Sequence, residues 1–193
     1  MNPAAMRDPG VLVTEAHDRV RSMYAPAIGR ARDELTTPAL LLDIGVLRAN
    51  LELMREGMQD APAVLRAHVK VHKSPHIARM EVEHGAIGIG CATVWEAIVM
   101  ARAGIDDVFV INETIGAEKT RALALLAREA SVKVAVDDTI QIDELSRAAT
   151  DAGSTIGALI DVDEGMHRCG VDSAEEALPL AQRISEAPGL EFA

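Results

Sequence analysis

At 193 residues, with 49% hydrophobic and 25% charged side chains, the chain has the composition of an ordinary globular protein and the length for one good-sized core. Thirty acidic residues against 19 basic ones give a net charge of −11, which argues against nucleic acid or an anionic membrane as partner. Two distant cysteines, Cys91 and Cys169, make neither a disulfide framework nor a zinc spacing. No apolar run could span a bilayer and the N-terminus lacks a secretory core, so the expected compartment is the cytoplasm.

Residues 1–36 are polar, helix-prone from about Val13 to Glu34, and read as an N-terminal helical extension to a body spanning 37–193. The body opens with "TPALLLDI" (37–44), which has β-like apolar character. "GVLRANLELMREGM" follows, with Leu47, Leu51 and Met54 at helical spacing. "AVLRAHVK" reads as strand, and "SPHIARMEVEHG" as a helix capped by Ser74, started by Pro75 and stopped by Gly85. Strand and helix go on alternating: "AIGIGCA" with "TVWEAIVMARAG", "DDVFVIN" with "GAEKTRALALLAREA", "SVKVAVDD" with "TIQIDELSRAATDAG", and "STIGALIDVD" with "SAEEALPLAQRISEAPG". "LEFA" begins one more strand. Trp95, at helical spacing with Ile98 and Val99, is expected to pack into the core, and Gly88 and Gly90 to allow close strand packing.

Such alternation implies an α/β fold with a parallel sheet and right-handed crossovers. An open doubly wound sheet and a (β/α)8 TIM-type barrel both satisfy it. The number of units favours the barrel, with only its N-terminal part, five to six strands, in this chain. In that reading 37–193 is an incomplete barrel.

Within "VLRAHVKVHKS" (64–74), Arg66, His68, Lys70 and His72 alternate with Leu65, Ala67, Val69 and Val71. Along a strand this places the basic groups on one face and the apolar ones on the other. In a barrel the apolar face packs on helices, while the inner face opens at the C-terminal mouth, where Lys70 would lie. Positive neighbours and partial burial favour the uncharged amine, the form that attacks a carbonyl to make a Schiff base. A solvated edge strand, or a set of cations that only binds phosphate, accounts for the stripe equally well. Other strand ends add Asn112 and Glu113, Asp137 and Asp138, and Asp161 and Asp163. After the last pair come His167 and Arg168 between Gly165 and Gly170, where small residues let a guanidinium approach a planar anion.

"TPALLLD", "RAHVKVHKS", "GIDDVFVINE", "VAVDD" and "IDVDEGMHRCGV" together resemble the fold-type III pyridoxal phosphate enzymes. Within them the sequence is similar to the D-threonine aldolase and D-serine dehydratase branch, with Ala67 where that branch usually has Pro and Val71 where it has Thr. The resemblance covers roughly Thr37 to Ala193. It implies a barrel of the alanine racemase kind, with a further β-domain that pairs with "TPALLLD". Lys70 would be the catalytic lysine that holds pyridoxal 5'-phosphate, with Arg168 near the phenolic oxygen and His68 and His72 in the cofactor pocket. Arg66, Asn112 and His167 would face substrate. The implied activity is lyase chemistry on small β-hydroxy-D-amino acids, most simply retro-aldol cleavage of D-threonine-like substrates to glycine and an aldehyde. The alternatives are a dehydratase-type ammonia-lyase, or an inactive pyridoxal phosphate carrier. A divalent metal (Mn, Mg or Zn) and a homodimer are implied for the full-length enzyme, with no metal ligand in this chain.

Overall fold

Six short strands lie side by side in chain order and all run parallel. They are β1 (Ala67–His68), β2 (Ile89–Cys91), β3 (Asp107–Val110), β4 (Ser131–Val136), β5 (Ile156–Ile160) and β6 (Leu190–Phe192). A doubly wound sheet reverses its strand order at a switch point, whereas a barrel adds each strand on the same side. The order β1 to β6 has no reversal, which is the barrel's pattern. The structure is a computed structural model and describes residues 18–193.

The helices are α1 (Ile44–Met58), α2 (Pro75–Glu83), α3 (Val94–Arg102), α4 (Ala117–Leu126), α5 (Thr139–Ala152) and α6 (Ala174–Glu186). Four begin on a side-chain oxygen: Ser74 accepts from Ile77 N–H, Thr93 from Glu96, Asp138 from Ile140 and Ser173 from Glu176. Each such cap contributes about 1 kcal/mol and stops the preceding strand from running on. The outward residues of the strands, Ile89, Val108, Val110, Val132, Val134, Val136 and Ile156, are buried against helix residues such as Ala97, Met100, Leu123, Ile142, Leu145 and Ile184. Burying each large aliphatic contributes about 1.5–3 kcal/mol before chain entropy is subtracted. Trp95 departs from its expected place. It is half exposed, and α3 turns Val94, Ala97 and Met100 inward instead. The glycines behave as expected: a Cβ on Gly90 would come within 2.6 Å of Ile111 Cδ1, and one on Gly88 would strike the Arg66 guanidinium and the Asp107 carbonyl.

The chain divides at Ile44 into two compact units. In the first, residues 18–24 are helical and are followed by two single turns, Ala25–Ala27 and Arg32–Glu34. The long helix expected from Val13 to Glu34 is therefore broken. Pro26 and the positive φ of Gly29 turn the chain, and the part before residue 18 lies outside the described residues. No strand forms over 37–43, where Leu40 is fully exposed, because no described strand pairs with this segment. Apolar alternation gives a strand only where a neighbour accepts its backbone hydrogen bonds.

Candidate functional site

The basic stripe does not run straight. β1 ends at His68, and residues 69–72 form a turn closed by Lys73 N–H donating to the Val69 carbonyl at 2.7 Å. Val69 is buried, Lys70 and Val71 are exposed, and Lys73 takes a left-handed φ of 50° that a non-glycine residue adopts at a cost. Lys70 thus stands on a turn at the C-terminal end of β1. Its N–H donates to His68 Nδ1 at 3.3 Å. Burial and the Lys70 charge hold the His68 imidazole below its ordinary pKa, so the ring is neutral at neutral pH.

The cations expected around Lys70 are mostly engaged elsewhere. Arg66, expected to face substrate, lies at the N-terminal side of β1 and donates to Asp107 Oδ1 at 2.6 Å. Lys133 reaches Oδ2 of the same carboxylate at 2.8 Å. One carboxylate with two cations is thereby fixed at the end of the sheet opposite the mouth. Lys73 pairs with Glu96 Oε1 at 3.2 Å, and Glu96 Oε2 accepts the Ala92 N–H at 2.8 Å, tying the turn to the end of β2. Burial pushes the Glu96 carboxyl up, but that amide and Lys73 pull it further down, so its net shift is downward. His72, expected in the cofactor pocket, turns to α2, where its Nε2 lies 3.4 Å from Glu81 Oε2. No carboxylate among the described residues pairs with the Lys70 ammonium.

A second cluster forms on the same rim, after β3, β4 and β5. Asn112 donates from Nδ2 to the Ala92 carbonyl at 2.9 Å. Glu113, Asp161 and Cys169 bring one ligand atom each within 4.8 Å of one another, and Glu113 Oε1 is shut from solvent without a hydrogen-bond partner. The loop from Val162 to Val171 is closed by a parallel bridge between those two residues. Asp163 caps it from inside, accepting the N–H groups of Gly165, Met166 and His167 at 2.8–3.0 Å, and these amides hold its pKa below the usual carboxylate range. Asp137 accepts the Gly170 N–H at 3.0 Å, anchoring the loop to the end of β4. Arg168 is thereby set beside Cys169, with Glu113 and Asp161 near enough to act on its charge. The His167 ring pairs with Asp163 at 3.1 Å and is largely exposed.

The sequence reading named Lys70, His68, Arg168 and Asn112, and the fold brings all four to one end of the strands. It missed Glu81, Glu96 and Asp107. Single acidic residues, Glu81 and Glu96 on helices and Asp107 at the start of β3, are common enough to carry no signal of their own, and only the fold places them against the basic residues of 66–73.

The donor set on this rim suits an aldehyde cofactor bearing anionic groups. It offers a primary amine with no paired carboxylate, a neutral imidazole beside it and a guanidinium on an anchored loop. It does not suit a divalent metal. Arg168 already supplies positive charge at the Glu113–Asp161–Cys169 cluster. The Arg168 hydrogen bond pulls the Cys169 thiol down, yet burial and the two carboxylates outweigh it and leave the net shift upward.

The sequence matches the alanine racemase N-terminal domain family over residues 42–193, and the chain belongs to that family. It is 38% identical over 177 residues to a D-threonine aldolase of an Arthrobacter species, covering 90% of this chain and 47% of that protein. It is 36% identical over 170 residues to the 3-hydroxy-D-aspartate aldolase of Paracoccus denitrificans, covering 86% and 44%. The crystal structure of D-threonine aldolase from Filomicrobium marinum superposes with a TM-score of 0.81 at 42% identity, over 82% of this chain and 43% of that one. The D-threo-3-hydroxyaspartate dehydratase of Delftia sp. HT23 superposes at 0.74 with 25% identity. The chain spans about half the length of these relatives. No helix among the described residues is long and apolar enough to cross a membrane.

Proposed function

We propose that this chain supplies the lysine-bearing part of a pyridoxal phosphate-dependent lyase acting on β-hydroxy-D-amino acids. One observation carries the reading: Lys70 is presented, exposed and without a carboxylate partner, on the turn that ends the first strand of a sheet belonging to this family. Lys70 would hold the cofactor through its Nζ. Bound there, the cofactor supplies an electron sink for negative charge developing at the substrate's Cα. His68 accepts the Lys70 N–H at Nδ1 and so fixes the backbone from which that amine projects. Arg168, held by the Asp163 and Asp137 anchors, offers a guanidinium to an anionic oxygen of the ligand. Asn112, bonded to Ala92, and the His167 ring on the same loop lie on the rim where substrate would be met.

Retro-aldol cleavage to glycine and an aldehyde is the activity favoured, since two of the relatives named above are aldolases. Elimination to an oxo acid and ammonia is the alternative, favoured by the dehydratase neighbour. The reading also takes the enzyme to be cytoplasmic, homodimeric at full length, and to use Mn, Mg or Zn bound outside the described residues. The test is to incubate the full-length protein with pyridoxal phosphate, each metal in turn and D-threonine or D-3-hydroxyaspartate. Glycine with an aldehyde supports the aldolase, and ammonia with an oxo acid the dehydratase. Cofactor uptake with neither product would leave a carrier.

A further inference from the structure

His72 and Glu81 form a pair that the sequence gives no reason to expect. Each atom at their interface, His72 Nε2 and Glu81 Oε2, is shut from solvent and has no hydrogen-bond partner. They face one another at 3.4 Å, with side chains 17% and 16% exposed. The ring's other nitrogen is already committed, because Nδ1 accepts the Ser74 N–H at 3.0 Å. That leaves Nε2 to carry the hydrogen, and it faces the Glu81 carboxylate as its nearest acidic group without meeting hydrogen-bond geometry. His72 therefore bridges two places: the backbone where α2 begins, and a carboxylate two turns into the same helix. Between β1 and that helix start lies the turn that presents Lys70.

This turn needs holding. It contains a non-glycine residue at φ 50° and an exposed Val71, and its strand provides only two residues of pairing. One side is secured by the Lys73–Glu96 pair on α3. At its start the Val69 N–H donates to the Gly90 carbonyl at 2.9 Å, and at its end His72 contacts Glu81 of α2. Burial pushes the Glu81 carboxyl above its ordinary range, and the opposing pull of His72 only partly offsets it.

We propose that Glu81 is a positioning residue for Lys70, acting through His72 to hold the 69–73 turn in the conformation that presents the amine at the rim. The inference rests on the reading of Lys70 as the cofactor lysine, and it assigns His72 to the turn's backbone and not to the cofactor.

Two variants of the full-length protein test it. Glu81→Leu keeps the bulk but leaves Nε2–H unpaired, while Glu81→Gln keeps an acceptor oxygen. Amide hydrogen–deuterium exchange is followed across 69–74 and, as a control, across β4. In parallel, pyridoxal phosphate is added and the amount fixed on Lys70 by borohydride is mapped by peptide mass. In Glu81→Leu, exchange across 69–74 should rise about three- to tenfold with β4 unchanged, and the affinity for cofactor at Lys70 should fall by a similar factor. Glu81→Gln should restore both to within about twofold. Equal exchange in wild type and Glu81→Leu would overturn the proposal, and so would a uniform rise that includes β4, which would mark a general structural role. If wild-type Lys70 takes up no cofactor at all, the lysine's assignment fails, and the exchange pattern still decides whether Glu81 holds the turn.

Discussion

Asp107 and Glu113 stand at opposite ends of β3, and their environments bias them in opposite directions. Burial pushes the Asp107 carboxyl up, but its hydrogen bonds to Arg66 and Lys133 outweigh that and leave it below the ordinary value. A carboxylate whose folded pKa is depressed contributes stability that is present above the unfolded pKa of 3.8 and lost as the pH falls through the lower folded value. The urea midpoint of the wild type is therefore expected to fall on acidification from about pH 6 to pH 2 more steeply than that of Asp107→Asn. At neutral pH the variant should already be the less stable, with Arg66 and Lys133 left facing each other. For Glu113 burial again acts first, but here Asp161 and Asp137 add to it and the net shift is upward. The sign reverses: the favourable contribution is present below the unfolded value and is lost as the pH rises through the raised folded pKa. Glu113→Gln should raise the thermal midpoint at neutral pH by about 2–4 °C, the shift expected from about 1 kcal/mol in a chain of this size. A carboxyl kept at a cost to stability on the rim opposite Asp107 is consistent with a site residue.

At the scale of elements, the loop that carries Arg168 depends on Gly170. Its φ is +93°, and a Cβ there would lie 2.8 Å from the Asp163 nitrogen and 3.0 Å from the Val162 carbonyl carbon, both of them backbone that cannot swing away. Gly170→Ala should cost at least about 1–2 kcal/mol, read as a lower thermal midpoint, and should make the 162–171 loop more susceptible to proteolysis. The sequence foretold this loop's glycines and the helix starts well. Caps such as Ser74, Thr93, Asp138 and Ser173 act on their own next few residues, so their signal is local and readable. It foretold β1 badly. The alternation from Arg66 to His72 looks like an uninterrupted strand, yet pairing extends only over Ala67 and His68. After Val69 the chain turns and its side chains meet distant partners, Glu81 and Glu96 on two helices, which no spacing within the stripe reveals. The same holds for Trp95. Its helix turns Val94, Ala97 and Met100 into the core and leaves Trp95 outside, a choice of face that the spacing of Trp95, Ile98 and Val99 does not show.

Taken as a whole, the molecule's fold was legible in the count and order of strand–helix units, which favoured a barrel over an open sheet, and the unreversed strand order agrees with that choice. That choice depends on which strands are neighbours, a property of the assembled sheet. The chemistry-bearing residue types at strand ends were legible: Lys70, His68, Asn112 and Arg168 share one rim. Its electrostatics were not legible, because the stripe's cations are parcelled out to Asp107, Glu81 and Glu96 and leave only His68 beside Lys70. Under the proposal, Lys70 is set apart from Lys73 and Lys133 by having no paired carboxylate, and from the exposed Lys119 on α4 by its place on the rim.

The central claim is that Lys70 alone takes the cofactor. The direct measurement is to add pyridoxal phosphate to the full-length protein, reduce with borohydride, digest, and locate the pyridoxyl group by mass spectrometry, with Lys70→Ala alongside. The account predicts one modified peptide containing Lys70, absent from the variant even though Lys73 and Lys133 remain. Label spread over several lysines, or retained undiminished in Lys70→Ala, would contradict it.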